Sequence, residues 1–300
     1  MQRDDLKNSL LVSCQPVPNG PMDRPEMVVG FALAALSAIA ALALTACTPE
    51  SPSGEAADGG GETAGATASS AVALVEPGFL TVCSESNYPP FEMEEGGEMV
   101  GLDMDLGREI AEDLGVEMKN VTLAFESIQS GAALETDQCD VAISALSITE
   151  ERRTVMDFSD PYYDNEVGLV TDGADGVDSI DAAREEQVRV GVMQGTVGET
   201  QARELGLNAV QFEDATTLFT GLSTGSVDAV LDDVTAIAQH AQDDPDFVVQ
   251  ETADLDDQLG VAVAKGDEAM LGAVDATLDR IEEDGTLEKI VETWIPVQEN

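Results

Sequence analysis

Arg152 and Asp233 are the two side chains whose surroundings suit them to hold a small charged molecule. Arg152 follows the apolar run 141–145 and the turn Ser147-Ile-Thr149, and it falls in what reads as a short helix opening at Glu150. A guanidinium grips both oxygens of a carboxylate, and the N–H groups at a helix start favour an anion. The residues alone equally allow Arg152 and Arg153 to pair with Glu150 and Glu151 on a solvated surface, where such pairs contribute little. Asp232 and Asp233 follow the apolar run 227–231, and open α/β sheets bind ligands at strand carboxyl ends. An acid facing Arg152 across a cleft would select a zwitterion; the bland alternative is that the pair caps a helix.

Other chemistry is thinly represented. The single histidine, His240, lies in Ala236-Ile-Ala-Gln-His-Ala241, where a place on a helix surface is expected. There is no Gly-x-Ser-x-Gly motif, P-loop or dinucleotide fingerprint, so binding is favoured over catalysis and no cofactor is expected. The chain has 60 acidic against 13 basic residues and a formal charge of −47, which repels nucleic acid and anionic lipid. The acids run along every expected helix, so they read as a solvated surface.

The elements that must position these residues begin near Gly78. Residues 79–83 read as a buried strand, and Leu106, Ile110, Ala111 and Leu114 fall at helical spacing. A second strand covers 141–145. The same grammar restarts at 188–192, passes through the turn Gln194-Gly-Thr-Val-Gly198 into a helix, and continues through strands near 209–212 and 227–231. A further strand is expected at 259–264, followed by two amphipathic helices between Asp267 and Trp294, broken at Asp284-Gly285. The alternation implies an α/β fold of two lobes, each with a mainly parallel sheet covered by helices.

Upstream of the folded region, residues 28–44 form an uncharged apolar run ending in Leu44-Thr-Ala-Cys47. That is the pattern of an export signal, 1–46, whose following cysteine is acylated and becomes a membrane anchor. A transmembrane helix is the alternative, since the run is close to the minimum spanning length. Residues 1–26 fit neither reading, which points to Met22 or Met27 as the true start. Residues 47–77, rich in Gly, Ser, Ala, Thr and Glu, read as a flexible tether. Of four cysteines, Cys14 precedes the cleavage point and Cys47 takes lipid. Cys83 and Cys139 remain as an exported pair, expected to form a disulfide rather than a metal site.

Six segments, in order, resemble the extracellular solute-binding proteins that serve polar amino-acid ABC transporters. They are Tyr88-Pro-Pro-Phe91, Gly101-Leu-Asp-Met-Asp-Leu106, Cys139-Asp-Val-Ala-Ile-Ser-Ala-Leu-Ser-Ile-Thr149 with Arg152, Asp157-Phe-Ser-Asp-Pro-Tyr162, Gln194-Gly-Thr196 and Asp228-Ala-Val-Leu-Asp-Asp233. The resemblance spans about 78–294. It implies a periplasmic-binding-protein-like (type II) fold with two hinge strands, in which 78–164 plus 260–300 form one lobe and 165–259 the other. It further implies that Arg152, with Ser147 and Thr196, takes a ligand carboxylate and that Asp233 takes the amino group. Tyr88 and Phe125 would flank the side chain, Glu85 would meet a polar side-chain group, and Ser144 and Ala145 would supply the neighbouring loop. Val197 stands where many relatives carry a second Thr, and 125–140 is about two residues longer than the common pattern, which weakens the assignments of Thr196 and Phe125. Asp103 and Asp105 are expected to cap the following helix. The implied partners are a small amino acid and the permease subunits of an ABC importer, for a monomeric protein anchored outside the membrane. An exported cyclohexadienyl-type dehydratase on the same fold is the alternative, with Glu85 as its proton donor. The lipid reading makes Cys47→Ser the decisive change: fractionation should find the variant released from the membrane that retains the wild type.

Overall fold

A computed structural model of the chain describes residues 72–173 and 176–295; the expected export signal, Cys14, Cys47 and most of the tether lie outside the described residues. The strand β1 (Phe79–Ser84) is buried along almost its whole length because it runs parallel between two neighbours. A small antiparallel meander follows, β2 (Asn87–Tyr88), β3 (Glu92–Glu95) and β4 (Glu98–Val100). The chain then enters α1 (Leu102–Leu114) through Gly101, whose φ of 132° and approach to the Phe91 carbonyl leave no room for a Cβ. Leu102, Leu106 and Ile110 bury one face of α1. Next come β5 (Glu117–Thr122), the short helices α2 (Phe125–Gln129) and α3 (Ala132–Glu135), and β6 (Val141–Ala142).

After a three-residue 3-10 turn at Arg152–Thr154, the strand β7 (Met156–Asp172) runs 17 residues, roughly 55 Å at ordinary strand rise. The second lobe is built from α4 (Ile180–Glu186), β8 (Arg189–Met193), α5 (Val197–Glu204), β9 (Asn208–Phe212), α6 (Ala215–Ser223), β10 (Ala229–Asp233) and α7 (Val234–Asp243). The chain returns along β11 (Phe247–Ala264), antiparallel to β7, and ends in α8 (Glu268–Glu283) and α9 (Thr286–Trp294). The order β5-β1-β6-β11-β7-β10-β8-β9 makes one mixed sheet. It is parallel within each lobe and antiparallel where β7 and β11 carry the chain between them.

The C-terminal helices pack on the first lobe. Arg280 reaches Glu109 and Asp113 at 2.7 and 2.8 Å, and the Trp294 indole N–H donates to Asp105 at 2.7 Å. A main hydrophobic cluster runs from around β1 into the α6–α7 side of the second lobe. A smaller one, with Val167, Val190, Ala202 and Leu231, fills the α4–α5 side. Among the described residues no helix is long and apolar enough to cross a membrane.

Several sequence expectations need correction. The strand expected over 141–145 stops at Ala142, because Ala145 takes a left-handed φ of 42°. The helix expected at Glu150 is only a turn followed by the 3-10 segment. Neither Asp103 nor Asp105 caps α1: the cap position is Gly101, Asp103 is buried and bonded elsewhere, and Asp105 holds Arg108 and Trp294. His240 is half-buried on α7 with its ring stacked 3.8 Å from that of Phe219.

Cys83 and Cys139 are joined, with Cα atoms 5.7 Å apart and 56 positions between them in sequence. The neighbouring Asp140 carboxylate accepts the backbone N–H groups of Val75 and Thr81, both at 2.7 Å, so the bond and the carboxylate tie the same corner of the lobe. Replacing both cysteines by alanine should lower unfolding free energy by about 2–4 kcal/mol, read from urea denaturation against the oxidised wild type.

Candidate functional site

Where the lobes meet, β1, β6, β8 and β10 all present their carboxyl ends to one narrow cleft that is partly open to solvent. Arg152 enters it from the first lobe and is only 5% exposed. Its guanidinium donates to the Ser147 carbonyl at 2.8 Å and, across the cleft, to the Gly195 carbonyl at 2.9 Å, and it lies over the Phe125 ring. Those two bonds leave further N–H donors for the cavity that Arg152 lines. Burial pushes its pKa down to about 10 against the pull of Asp257 and Asp233. The surface pairing with Glu150 and Glu151 is not what forms; Arg153 is the exposed member, set over Phe158. Arg152 sits in a 3-10 turn rather than at an α-helical N-terminus.

Asp233 ends β10 on the second lobe. It precedes α7 but makes no capping bond to it, because its carboxylate is engaged elsewhere. It accepts the Tyr88 hydroxyl at 2.7 Å and the Asn165 amide at 2.8 Å. Burial raises its pKa to about 6 despite those donors. Asp232 beside it lies 3.1 Å from the Tyr88 hydroxyl and is pushed well above the carboxylate range by burial and by Asp233.

Glu85 follows β1 at the far side of the same cavity. Its backbone N–H donates to Ser144 Oγ, while among the described residues nothing donates to its carboxyl group. Ser147 Oγ donates to Asp257 at 3.1 Å, so its backbone carbonyl, not its hydroxyl, meets Arg152. Thr196 caps α5: its hydroxyl accepts the Glu199 N–H and donates to the Met193 carbonyl at 2.8 Å. The hydroxyl is therefore already committed.

The structure brings together every ligand-binding candidate read from the sequence, namely Glu85, Tyr88, Phe125, Ser144, Ala145, Ser147, Arg152, Thr196 and Asp233. Met193 and Val197 complete the lining. Sequence reasoning passed over Met193, which reads as the end of a buried strand. It also passed over Asn165 and Asp257, whose amide and carboxylate connect Asp233 to Ser147. In a chain with 60 acidic residues no local signal marks Asp257, whose place depends on pairing with β7. Among the described residues no group of side chains is arranged to hold a metal ion.

A two-lobed α/β fold with a polar cavity between the lobes defines a receptor for a small solute. The chain belongs to the bacterial extracellular solute-binding proteins, family 3, whose profile matches residues 80–297. It is 30% identical over 225 residues to the L-cystine-binding protein TcyJ of Escherichia coli (strain K12), covering 73% of this chain and 83% of that one. It is 28% identical over 242 residues to the lysine/arginine/ornithine-binding periplasmic protein of the same strain, covering 76% and 91%. An ancestral arginine-binding protein, solved bound to arginine, matches with a TM-score of 0.68 at 31% identity over 73% of this chain and 98% of that one. These relatives are binding proteins, not enzymes, and the chain is one of their kind.

Glu85 provides a check on the electrostatics of the ligand-free cleft. Burial, reinforced by Asp214, raises its pKa from 4.5 to about 7, so the folded state holds this proton more tightly than the unfolded chain. The resulting stabilisation is complete below the unfolded value and is lost as pH rises toward 7. Glu85→Gln should remove it, making stability between about pH 5 and 7 fall less steeply, by up to about 1.4 kcal/mol per pH unit in urea titrations.

Proposed function

We propose that this protein captures a polar amino acid between its lobes and delivers it to the permease subunits of an ABC importer. The observation that carries the proposal is the placement of Arg152 and Asp233 on opposite lobes of one cavity. An α-carboxylate at Arg152 and an α-ammonium at Asp233 would bridge the lobes. The ligand would then bind the closed form better than the open one, which is the condition for shifting a hinge equilibrium. The hinge is assigned to β7 and β11 near residues 164–165 and 259–260, with 78–164 plus 260–300 as one lobe and 165–259 as the other.

The cavity wall has four acids in or beside it, Glu85, Asp232, Asp233 and Asp257, against one arginine. An excess of buried acid favours a ligand whose side chain is cationic or rich in N–H donors, with Glu85 as its partner and Phe125 and Tyr88 as its flanks. Relatives named for lysine, arginine and ornithine or for arginine agree with that preference, whereas the one named for L-cystine leaves room for a neutral polar side chain. Acylation at Cys47 would hold the receptor beside its permease on the outer face of the membrane.

A thermal-shift screen of the twenty amino acids identifies the ligand, since one that binds only the native state raises its apparent stability. Calorimetric titration then tests the site. Removing one partner of a buried charged contact costs roughly 3–5 kcal/mol, so Arg152→Ala should weaken binding on the order of a hundredfold or more. Asp233→Asn should also weaken it, whereas exposed Arg153→Ala should have little effect. Equal small losses at Arg152 and Arg153 would place the carboxylate elsewhere.

A further inference from the structure

Behind the cavity wall lie two carboxyl groups with no solvent exposure, Glu92 at the start of β3 and Asp103 in the first turn of α1. Glu92 Oε1 accepts the Ser144 hydroxyl. Asp103 Oδ2 accepts the Ala145 backbone N–H at 2.6 Å, and its Oδ1 accepts the Tyr162 hydroxyl at 2.8 Å. The two carboxyl groups converge on consecutive residues of one loop, Ser144 and Ala145, and Glu92 Oε2 is buried with no donor among the described residues. Among the described residues, the titratable groups facing the pair are Tyr162 from β7 and Glu85 from the end of β1, and the loop after β6 contributes Ser144 and Ala145. None of these is a cation.

Two bare carboxylates there would repel each other without a counter-charge, and Glu92 Oε2 would be a buried acceptor left unsatisfied. One proton removes both difficulties. Placed on Glu92 Oε2 it donates to Asp103, which then accepts three hydrogen bonds, while Glu92 Oε1 still accepts from Ser144. Asp103 is the better anion because two protein donors already point at it.

We infer that Glu92 and Asp103 share a single proton in the folded protein at neutral pH, and that the pair positions Ser144 and Ala145 in the cavity wall. Its relevance to ligand capture rests on the function proposed above; the pair itself does not. Ala145 needs such support because its left-handed backbone is one that a residue with a Cβ rarely adopts. Ser144 passes the constraint on by accepting the Glu85 N–H at 3.1 Å.

The test uses Glu92→Gln, which reproduces the protonated form, and Glu92→Leu, which can neither accept from Ser144 nor donate to Asp103. An infrared difference spectrum of ligand-free wild type minus Glu92→Gln at neutral pH should contain the C=O band of a protonated carboxyl group; its absence overturns the shared proton. Amide hydrogen exchange reads the positioning. Ala145 should be protected in wild type and in Glu92→Gln but exchange at least about tenfold faster in Glu92→Leu, with β8 and β9 unchanged. Equal protection of Ala145 in all three overturns the positioning role. Should the band and the exchange behave as stated while no amino acid binds the wild type, the proposed function fails and the proton pair stands.

Discussion

The pairing of β7 with β11 is the constraint on which the rest of the molecule depends. Each strand must satisfy its backbone hydrogen bonds over a length that no single lobe provides. They do so against each other, so one ribbon becomes the edge of two half-sheets and the place where they bend. One register shift falls at 249/251 and three more fall between 254 and 262. In that stretch Asn165 is paired with Asp257, and the Asn165 amide donates to both Asp233 and Asp257. Tyr88, Asp233, Asn165, Asp257 and Ser147 thus form a hydrogen-bonded chain that leaves the first lobe, touches the second and returns through the ribbon.

Charge has two different meanings in this chain. On the surface a large acid excess is solvated, and individual ion pairs such as Arg280 with Glu109 contribute modestly. In the cleft the same chemistry is costly, because burial disfavours every ionised group whatever its sign. Glu85 and Asp233 are raised and Arg152 is lowered chiefly for that reason. A ligand carrying both charges would relieve the strain on each side at once. On the proposed reading, that relief is what makes binding favour closure.

How far these features were legible depended on the range of the interactions behind them. β1, α1, α8 and α9 are visible as apolar periodicity because each buries one stripe or run against the core. The meander β2–β4 carries no such pattern: its strands are short, mixed in composition and held by pairing with one another. The first half of β11 was equally hidden, since acidic residues interrupt its apolar alternation and its strand character comes from pairing with β7. Asp103 was misread for a related reason. An Asp in a first helical turn is usually a local cap, but here the local position is taken by Gly101 and the carboxylate is claimed by Ala145 and Tyr162, far away in sequence.

By itself the sequence determined the alternating α/β grammar and the cysteine pair, which follow from local periodicity and composition, and its resemblance to the solute-binding proteins pointed to the residues gathered at the cleft. Tertiary structure alone decided that Arg152 is buried rather than paired on the surface, and that the Thr196 hydroxyl is spent on its own helix. It also decided that Asn165 and Asp257 join the lobes. The physical reason is that burial and hydrogen-bond partnership are properties of neighbours in space: Arg152 and Gly195 are 43 positions apart in sequence and 2.9 Å apart in the fold.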